Sequence, residues 1–428
     1  MSSETYFLIP AAESYGGTRA DLSFGLRRAA RYYNEVVVPG IAGVWFVRQL
    51  SWATAALRLR EKLAGGSRAP SAIRIANGIE ALGCKLSWNG NRDDYHRKGV
   101  MAFRRNPDDW SFRLLSTQRG YVQTPYRMST VRALPEEVGL GFAQGSTTLF
   151  NRMWLTKRGE ELADFLLHGC RVGNAALESF LVGWIKGERE VGKYAPLPRL
   201  HEGLGPDVPT DEEKKAVLEA LKTVATLPGD LPPDPDRRLR LVEYFSQPPT
   251  EPVLDWIERR NSDHARQTKA ACAFDSYRKA IGSFYAACTG VIALHDQGLG
   301  LRECAALQNI TDLFDTDPFD NLKDSARTFL TAAREGCEHP DAVKSASAVL
   351  RDGKVGTLRN LVMMDNRILC LVDDKVCRGP LFRNREETEP RDDDTDLQQP
   401  VTPDDLPHAK LIQLRSLLAG CGVTGGTR

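Results

Sequence analysis

The chain has 428 residues, a length that predicts two or three domains and is too long for a minimal repressor. Hydrophobic residues make up 42% and charged residues 26% of the chain, which excludes a disordered protein and predicts a buried core. The formal net charge is only +1, but the first 200 residues hold 28 lysines and arginines against 18 acidic residues, whereas the remainder holds 29 against 38, so the basic half suits a polyanionic partner.

The nine cysteines are scattered and are never spaced as Cys-x-x-Cys, which favours reduced thiols over a disulfide framework or a zinc site. The most apolar stretch, residues 36–47, is interrupted by Pro39 and is shorter than the about 20 residues that a bilayer span needs. No secretory signal, phosphate-binding loop, dinucleotide-binding motif or nucleophile elbow is recognisable. We therefore expect a cytoplasmic protein with no membrane contact, no cofactor and no recognisable catalytic residue.

Residues 1–194 are predicted to form a basic helical domain, and the fold class is mainly α with small β elements (α+β). Helices are expected at residues 41–64 and 70–86, where apolar residues recur at three- and four-residue steps. Further along, a helix at residues 126–138 ends at Gly139-Leu140. Two short strands follow, at residues 141–143 and 149–155, and Thr156 is positioned to cap a helix at residues 160–168.

This order of helix, Gly-Leu, hairpin and Leu-Thr-x-x-Gly-x-x-Leu helix resembles the C-terminal half of the winged-helix domain of MarR- and PadR-like transcription regulators. The resemblance covers residues 121–168 and implies a winged-helix-like segment at about residues 100–168. In that family the helix before the wing enters the DNA major groove and the hairpin touches the flanking backbone. The resemblance implies a groove-facing helix with Arg127, Ser129, Thr130 and Arg132, and a wing with Thr147, Asn151 and Arg152. Pro135 departs from the pattern, because a proline there kinks or ends the helix.

The charge pattern favours nucleic-acid binding independently of the resemblance. Between Arg48 and Arg132 there are 16 lysines and arginines against 6 acidic residues, with aromatic residues among them that can stack on unpaired bases. Two other interpretations of this basic surface stay open: it binds an acidic protein partner, or it is merely solvated. The predicted nucleic-acid-binding residues are Arg104, Arg105, Arg113, Arg119, Arg127, Ser129, Thr130, Arg132, Asn151, Arg152, Lys157 and Arg158.

The second half is predicted to be a separate helical domain. A Pro/Gly-rich connector with a short helix spans residues 195–236, and the helical domain spans residues 237–385. Its strongest helix, residues 268–294, carries a stripe of apolar residues: Ala270, Phe274, Tyr277, Ile281, Phe284, Cys288 and Ile292. Residues 358–382 are expected to form a three-stranded β-meander whose first strand is 361–364.

The end of the chain combines an acidic segment with one more helix. Residues 386–405 contain nine acidic residues and three prolines, so a solvated linker is expected, and a terminal helix and tail occupy residues 406–428. A second hypothesis is that this linker competes with nucleic acid for the basic domain.

These features predict an adaptor or regulatory subunit of a bacterial-type DNA-transaction or antiviral defence complex. DNA is the expected partner of the basic domain, and protein partners or self-association are expected through the C-terminal helical region. Two alternatives remain. One is a metal-dependent nuclease that uses Asp108, Asp109, Glu136 and Glu137. The other is a protein scaffold that does not bind nucleic acid.

Overall fold

A computed structural model describes the chain at residues 24–65, 69–90, 99–121, 130–172, 174–193, 195–229, 231–248, 250–292, 298–315, 317–365, 368–379 and 406–423. Its helices are α1 (Arg27–Val37), α2 (Val47–Leu63), α3 (Ala72–Gly90), α4 (Val100–Arg105), α5 (Phe112–Leu115), α6 (Lys157–Leu167), α7 (Leu177–Lys186), α8 (Leu197–Leu204), α9 (Asp211–Leu221), α10 (Arg237–Phe245), α11 (Val253–Arg260), α12 (Ser262–Ile292), α13 (Leu301–Ala306), α14 (Gln308–Phe314), α15 (Asp317–Glu335), α16 (Pro340–Arg351), α17 (Lys354–Asp365) and α18 (Ala409–Gly420). Its strands are β1 (Ala143–Gly145), β2 (Met153–Leu155), β3 (Arg171–Val172), β4 (Ala175–Ala176), β5 (Leu299–Gly300), β6 (Leu369–Val372) and β7 (Lys375–Arg378). The prediction of a mainly helical protein with small β elements is confirmed.

The chain divides into two compact units, each built from two separate stretches. Unit 1 consists of Met1–Val37 and Ile257–Asp393, and unit 2 consists of Val38–Trp256 and Asp394–Arg428. These division points differ from the boundaries at residues 194 and 236 that the sequence suggested. The proline-rich connector does not separate domains, because α8 packs on α3 and α9 packs on α2 and α6 within unit 2. The acidic segment 386–405 lies outside the described residues.

Unit 1 is organised around the long helix α12. The seven apolar residues predicted to form one stripe are all buried: Ala270, Phe274, Tyr277, Ile281, Phe284, Cys288 and Ile292. Helix α15 packs along α12, and α1 and α14 also contact it. The ring of Phe329 on α15 stacks on Tyr277 with a centroid separation of 5.8 Å. The periodicity of α12 therefore identified the core of this unit correctly.

The predicted β-meander of unit 1 needs a correction. Residues 361–364 belong to helix α17 and form no strand, since Leu361 and Val362 are buried as part of a helical face. Strands β6 and β7 do form a hairpin, and its turn residues Asp373 and Asp374 both adopt positive φ angles. The third strand of this sheet is β5, which pairs with β7 and comes from about 70 residues earlier in the chain.

Helix α2 is the centre of unit 2, and it is buried on most of its surface. It packs against α3, α6, α9 and strand β2. The fully buried Arg48 forms an ion pair, with its Nη1 atom 3.1 Å from Oε2 of Glu213. Its guanidinium also donates to the carbonyl oxygens of Gly203 and Val208. A capping box between Thr210 and Glu213 at the start of α9 fixes the position of the Glu213 carboxylate.

A second buried arginine, Arg238 of α10, holds the loops of unit 2 together. Its Nε donates to the carbonyl oxygen of Leu221 at 2.8 Å, its Nη1 to that of Pro39 at 3.0 Å and its Nη2 to that of Thr223 at 3.0 Å. One side chain thus satisfies the C-terminal carbonyls of α9 and the loop before α2. These contacts replace water for backbone groups that would otherwise be buried without a donor.

Helix α18 closes unit 2 against the segment that precedes α2. The amide of Gln413 donates to the carbonyl oxygens of Ala42 at 3.0 Å and Val44 at 2.7 Å. The ammonium of Lys410 donates to Ala42 and to the Gln413 side chain. The predicted terminal helix is therefore an integral part of this unit.

The region predicted to be winged-helix-like contains a hairpin followed by a helix. Strand β1 begins at Ala143, two residues later than predicted, β2 is shorter than the predicted 149–155, and α6 follows it. The predicted helix at 126–138 is not formed over its second half, where a single 3-10 turn, Val131–Ala133, leads to a β-bridge between Pro135 and Ala143. Proline explains this end, since it removes a backbone donor and clashes within a helix. Residues 122–129 lie outside the described residues.

Replacing Arg238 tests its role in unit 2. In Arg238→Met the carbonyls of Leu221, Pro39 and Thr223 lose their donor, and each buried unsatisfied group costs about 1–3 kcal/mol. We expect the free energy of unfolding, measured by urea denaturation, to fall by about 3 kcal/mol or more. The exposed Arg199→Met is the control and should change it by less than about 0.5 kcal/mol. Equal effects of the two substitutions would contradict this role.

Candidate nucleic-acid interface

The hairpin β1–β2 is short and is followed directly by a capped helix. Ala143 pairs with Leu155, and Gly145 pairs with Met153. The connecting loop contains a 3-10 turn, Phe150–Arg152, in which Phe150 is buried and anchors the loop. The hydroxyl of Thr156 accepts from the amide of Gly159 at 3.2 Å and so caps α6, which confirms the predicted cap.

The hairpin loop is fixed to the two helices beneath it. The side-chain Oδ1 of Asn151 accepts from the backbone amide of Ile73 at 3.0 Å, in the first turn of α3. Arg60 of α2 donates to the carbonyl oxygens of Asn151 at 2.9 Å and Met153 at 2.8 Å. These bonds hold the loop against α2 and α3, so its exposed side chains project from a fixed backbone.

Three exposed arginines lie on the hairpin loop, α3 and α5, and because the loop and α5 both contact α3 we call them together the basic face: Arg74, Arg113 and Arg152. Arg152 follows Asn151 in the hairpin loop, and Arg74 follows Ile73 in α3. The Nε of Arg74 donates to Oγ of Ser116 at 3.1 Å, and its guanidinium lies 5.8 Å from the centre of the Phe112 ring. Helix α5, which carries Arg113 beside Phe112, therefore borders the start of α3.

The three arginines of the basic face leave cationic groups available to a ligand. Among the described residues, neither Arg113 nor Arg152 has an acidic partner within ion-pairing distance, and Arg74 contacts only a hydroxyl and a ring. All three side chains are exposed. Arg119, also exposed, lies in the turn that follows α5. Such unneutralised cations are what a phosphate backbone binds.

Other predicted binding residues lie elsewhere in unit 2. Arg104 and Arg105 are exposed on α4, whose Phe103 ring lies 6.1 Å from that of Trp88 near the end of α3. Fifteen residues separate Trp88 from Ile73, about 22 Å along a helix, so α4 borders the other end of α3. These two arginines do not belong to the basic face.

The residues around the predicted groove-facing helix are divided between several environments. Arg127 and Ser129 lie outside the described residues. The Thr130 side chain is completely buried, which removes its hydroxyl from any surface. Arg132 is half-buried in the 3-10 turn. The structure therefore does not assemble these four residues into one exposed row.

The base of the hairpin carries the last two predicted cations. Lys157 is exposed at the start of α6. Arg158 is half-buried and its Nη1 donates to the carbonyl oxygen of Leu140 at 3.2 Å, so it stabilises the turn before β1. Asn151 also has a structural role, because its side-chain oxygen is used to cap α3.

Two apolar residues on the hairpin were missed by sequence reasoning. Leu149 and Trp154 are each 49% exposed, although both are large and hydrophobic. Trp154 lies between the buried Met153 and Leu155 and opposite Gln144. Because Met153, Trp154 and Leu155 are all apolar, the sequence does not show the alternation between buried and exposed side chains along this strand. Only the pairing with β1 would have shown that Trp154 faces outwards.

The four carboxylates of the nuclease alternative are not brought together as a metal site. Within the described ranges, no group of three or more His, Cys, Asp or Glu side chains is placed to hold a metal ion. Asp109 accepts from the backbone amide of Ser111 at 2.9 Å before α5. Its carbonyl oxygen accepts from the buried Lys85 ammonium at 2.8 Å. Glu136 and Glu137 are exposed in the turn before β1.

Comparison of the chain with protein-family models, with curated protein sequences and with solved structures gave no match. Over the described part of the chain, no helix combines the length and the apolar character needed to cross a membrane. The candidate interface therefore rests on the geometry and the charges of unit 2 alone.

Titration of Lys85 tests the environment beside Asp109. Burial lowers the pKa of Lys85 from 10.5 to about 8, and the charges of Asp109 and Asp108 partly oppose this shift. The unfolded chain therefore binds more protons than the folded chain between these two pH values, and stability rises with pH there. We expect the free energy of unfolding of the wild type, relative to Lys85→Met, to increase by up to about 3 kcal/mol from pH 8 to 10.5.

The matched control for this titration is Lys215→Met, since Lys215 is an exposed lysine of α9. Its difference from the wild type should stay constant over the same pH range. Chemical denaturation at a series of pH values measures both differences. A flat profile for Lys85→Met would show that the folded state does not depress this pKa.

Proposed function

We propose that unit 2 binds DNA, and that the basic face of Arg74, Arg113 and Arg152 is the surface that contacts its phosphates. The observation that carries the proposal is the chain of contacts that unites these arginines. Asn151 is bonded to Ile73, and Arg74 is bonded to Ser116 next to α5. Three exposed cations from separate parts of the sequence thus lie on elements that contact one another, and the ion pairs of the described residues include none of them.

Arginine is suited to this role. Its planar guanidinium donates two parallel hydrogen bonds to a phosphate, and its charge releases counterions from the nucleic acid. Because the loop is bonded to α2 and α3, little conformational entropy is lost when Arg152 engages a ligand.

The winged-helix-like arrangement supports the same proposal in a weaker form. The hairpin and α6 stand where a wing and its closing helix are expected. The 3-10 turn Val131–Ala133 and the bridge at Pro135 replace the second half of the predicted groove-facing helix. We therefore assign the binding energy chiefly to phosphate contacts of the basic face rather than to base reading.

The test is a salt titration of DNA binding. The double variant Arg113→Ala/Arg152→Ala should bind a fluorescent duplex about tenfold more weakly at about 50 mM salt. The slope of log affinity against log salt should fall by about 2, because each phosphate contact contributes about 1. Fluorescence anisotropy between about 50 and 200 mM salt measures both quantities.

The control double variant is Arg199→Ala/Lys215→Ala, which removes the same charge from α8 and α9. Helix α8 borders the other end of α3, where His201 lies 3.4 Å from the Ser87 hydroxyl. The slope of log affinity against log salt for this control variant should match that of the wild type. Equal losses in the two double variants would mean that only net charge matters. Absence of binding by the wild type at about 50 mM salt would refute the proposal.

The wider role predicted from the sequence is an adaptor or regulatory subunit in a DNA-transaction or defence complex, with unit 1 contacting protein partners. This role remains a prediction that extends the proposal. Met363 of α17 and Val372 of β6 are large exposed hydrophobic residues of unit 1.

A further inference from the structure

We propose that the hairpin of unit 2 is a platform on which unpaired bases stack, so that this unit prefers single-stranded stretches of DNA to continuous duplex. The inference rests on the proposed function, since it names the form of DNA that the basic face takes. Its platform consists of Trp154 and Leu149, which the phosphate contacts of the basic face do not use.

Trp154 is exposed in a fixed position. Its indole lies over Gly145 of the paired strand, where an added Cβ would be 2.5 Å from the indole Cζ3 atom. Gly145 has a φ of +100°, so this close approach depends on glycine for both space and backbone conformation. The backbone supports one side of the ring, while 49% of the residue remains exposed. A supported aromatic ring that is open on another side is what base stacking requires.

Leu149 is a second exposed apolar side chain, in the loop of the same hairpin. The Ser146 hydroxyl accepts from the amides of Leu149 at 2.9 Å and Thr148 at 3.2 Å, which fixes the loop conformation. An open depression beside the loop is lined by Ile73, Thr148, Leu149, Phe150, Asn151 and Arg152. The lining combines apolar and uncharged polar residues with the cation of Arg152, and it contains no acidic residue. Such a surface suits a base that lies next to a phosphate.

The spacing of charge and ring fits one nucleotide. Arg152 and Trp154 are two residues apart where the loop enters β2, and an extended chain separates such residues by about 7 Å. A strand whose phosphate meets Arg152 can therefore place its base on Trp154. In a continuous duplex the bases are stacked inside the helix and only their edges are reachable. The ring therefore adds affinity only where bases are unpaired.

The experiment compares three labelled DNA molecules: a single strand, a continuous duplex and a duplex with a single-stranded gap. We expect the wild type to bind the single strand and the gapped duplex more tightly than the continuous duplex. Stacking contributes about 1–3 kcal/mol per base, so Trp154→Ala should weaken single-strand binding about tenfold or more. Its affinity for continuous duplex should change less than about twofold, because phosphate contacts remain.

Two further variants separate stacking from other causes. Trp154→Phe keeps an aromatic face and should retain most of the single-strand affinity. Val224→Ala removes another exposed apolar side chain, 72% exposed and away from the hairpin, and should leave binding unchanged. Circular dichroism and thermal unfolding establish that each variant is folded. Loss of affinity in Trp154→Phe as large as in Trp154→Ala would count against stacking.

The outcomes distinguish this inference from the proposed function. If the wild type binds no DNA, both fail. If it binds all three molecules equally and Trp154→Ala weakens none of them, or all by the same factor, DNA binding stands and the stacking platform is refuted. Sedimentation of the same variants tests the protein alternative. Dissociation of an oligomer by Trp154→Ala with unchanged single-strand binding would identify the hairpin as a protein interface and overturn the inference.

Discussion

The structure of unit 2 depends on how a buried central helix satisfies its own arginines. Helix α2 is enclosed by other elements, yet it carries Arg48 near its start and Arg60 near its end. Burying a guanidinium without an ionic partner costs several kcal/mol. Arg48 recruits Glu213 and two carbonyls from the region of α8 and α9. Arg60 recruits the backbone of the hairpin loop. The arginines near the two ends of α2 thus determine where the α8–α9 region and the hairpin loop attach to this helix.

This constraint links the core to the candidate interface. Because Arg60 and Asn151 bind the hairpin loop to α2 and α3, the backbone of that loop is held in place before any ligand arrives. Residues that looked like binding residues from the sequence, such as Asn151 and Arg158, act instead on the protein's own backbone. Arg113 and Arg152, by contrast, are exposed and form no ion pair with the described residues. Structural demand therefore differs between members of the same basic sequence.

Local signals made part of this architecture predictable. The cap at Thr156 and the apolar stripe of α12 depend on neighbours three or four residues away, and both were identified correctly. The segment at 361–364 was assigned to a strand because short apolar runs have no decisive periodicity. The outward position of Trp154 and the burial of Arg48 depend on partners distant in the sequence. Such partners are chosen by tertiary packing, which a single sequence does not reveal. The fold class and the basic half could therefore be predicted, whereas the composition of the basic face could not.

The interrupted path of the chain has a consequence for how the protein is made. Unit 2 begins at Val38, but its last helix follows the whole second stretch of unit 1. At a synthesis rate of about 5–20 residues per second, roughly ten seconds or more separate emergence of α10 from that of α18. During this interval the carbonyl oxygens of Ala42 and Val44 lack the amide donor of Gln413, and the surface that α18 later covers is exposed to water. On the ribosome, unit 2 therefore completes its fold last, after all of unit 1 has been translated.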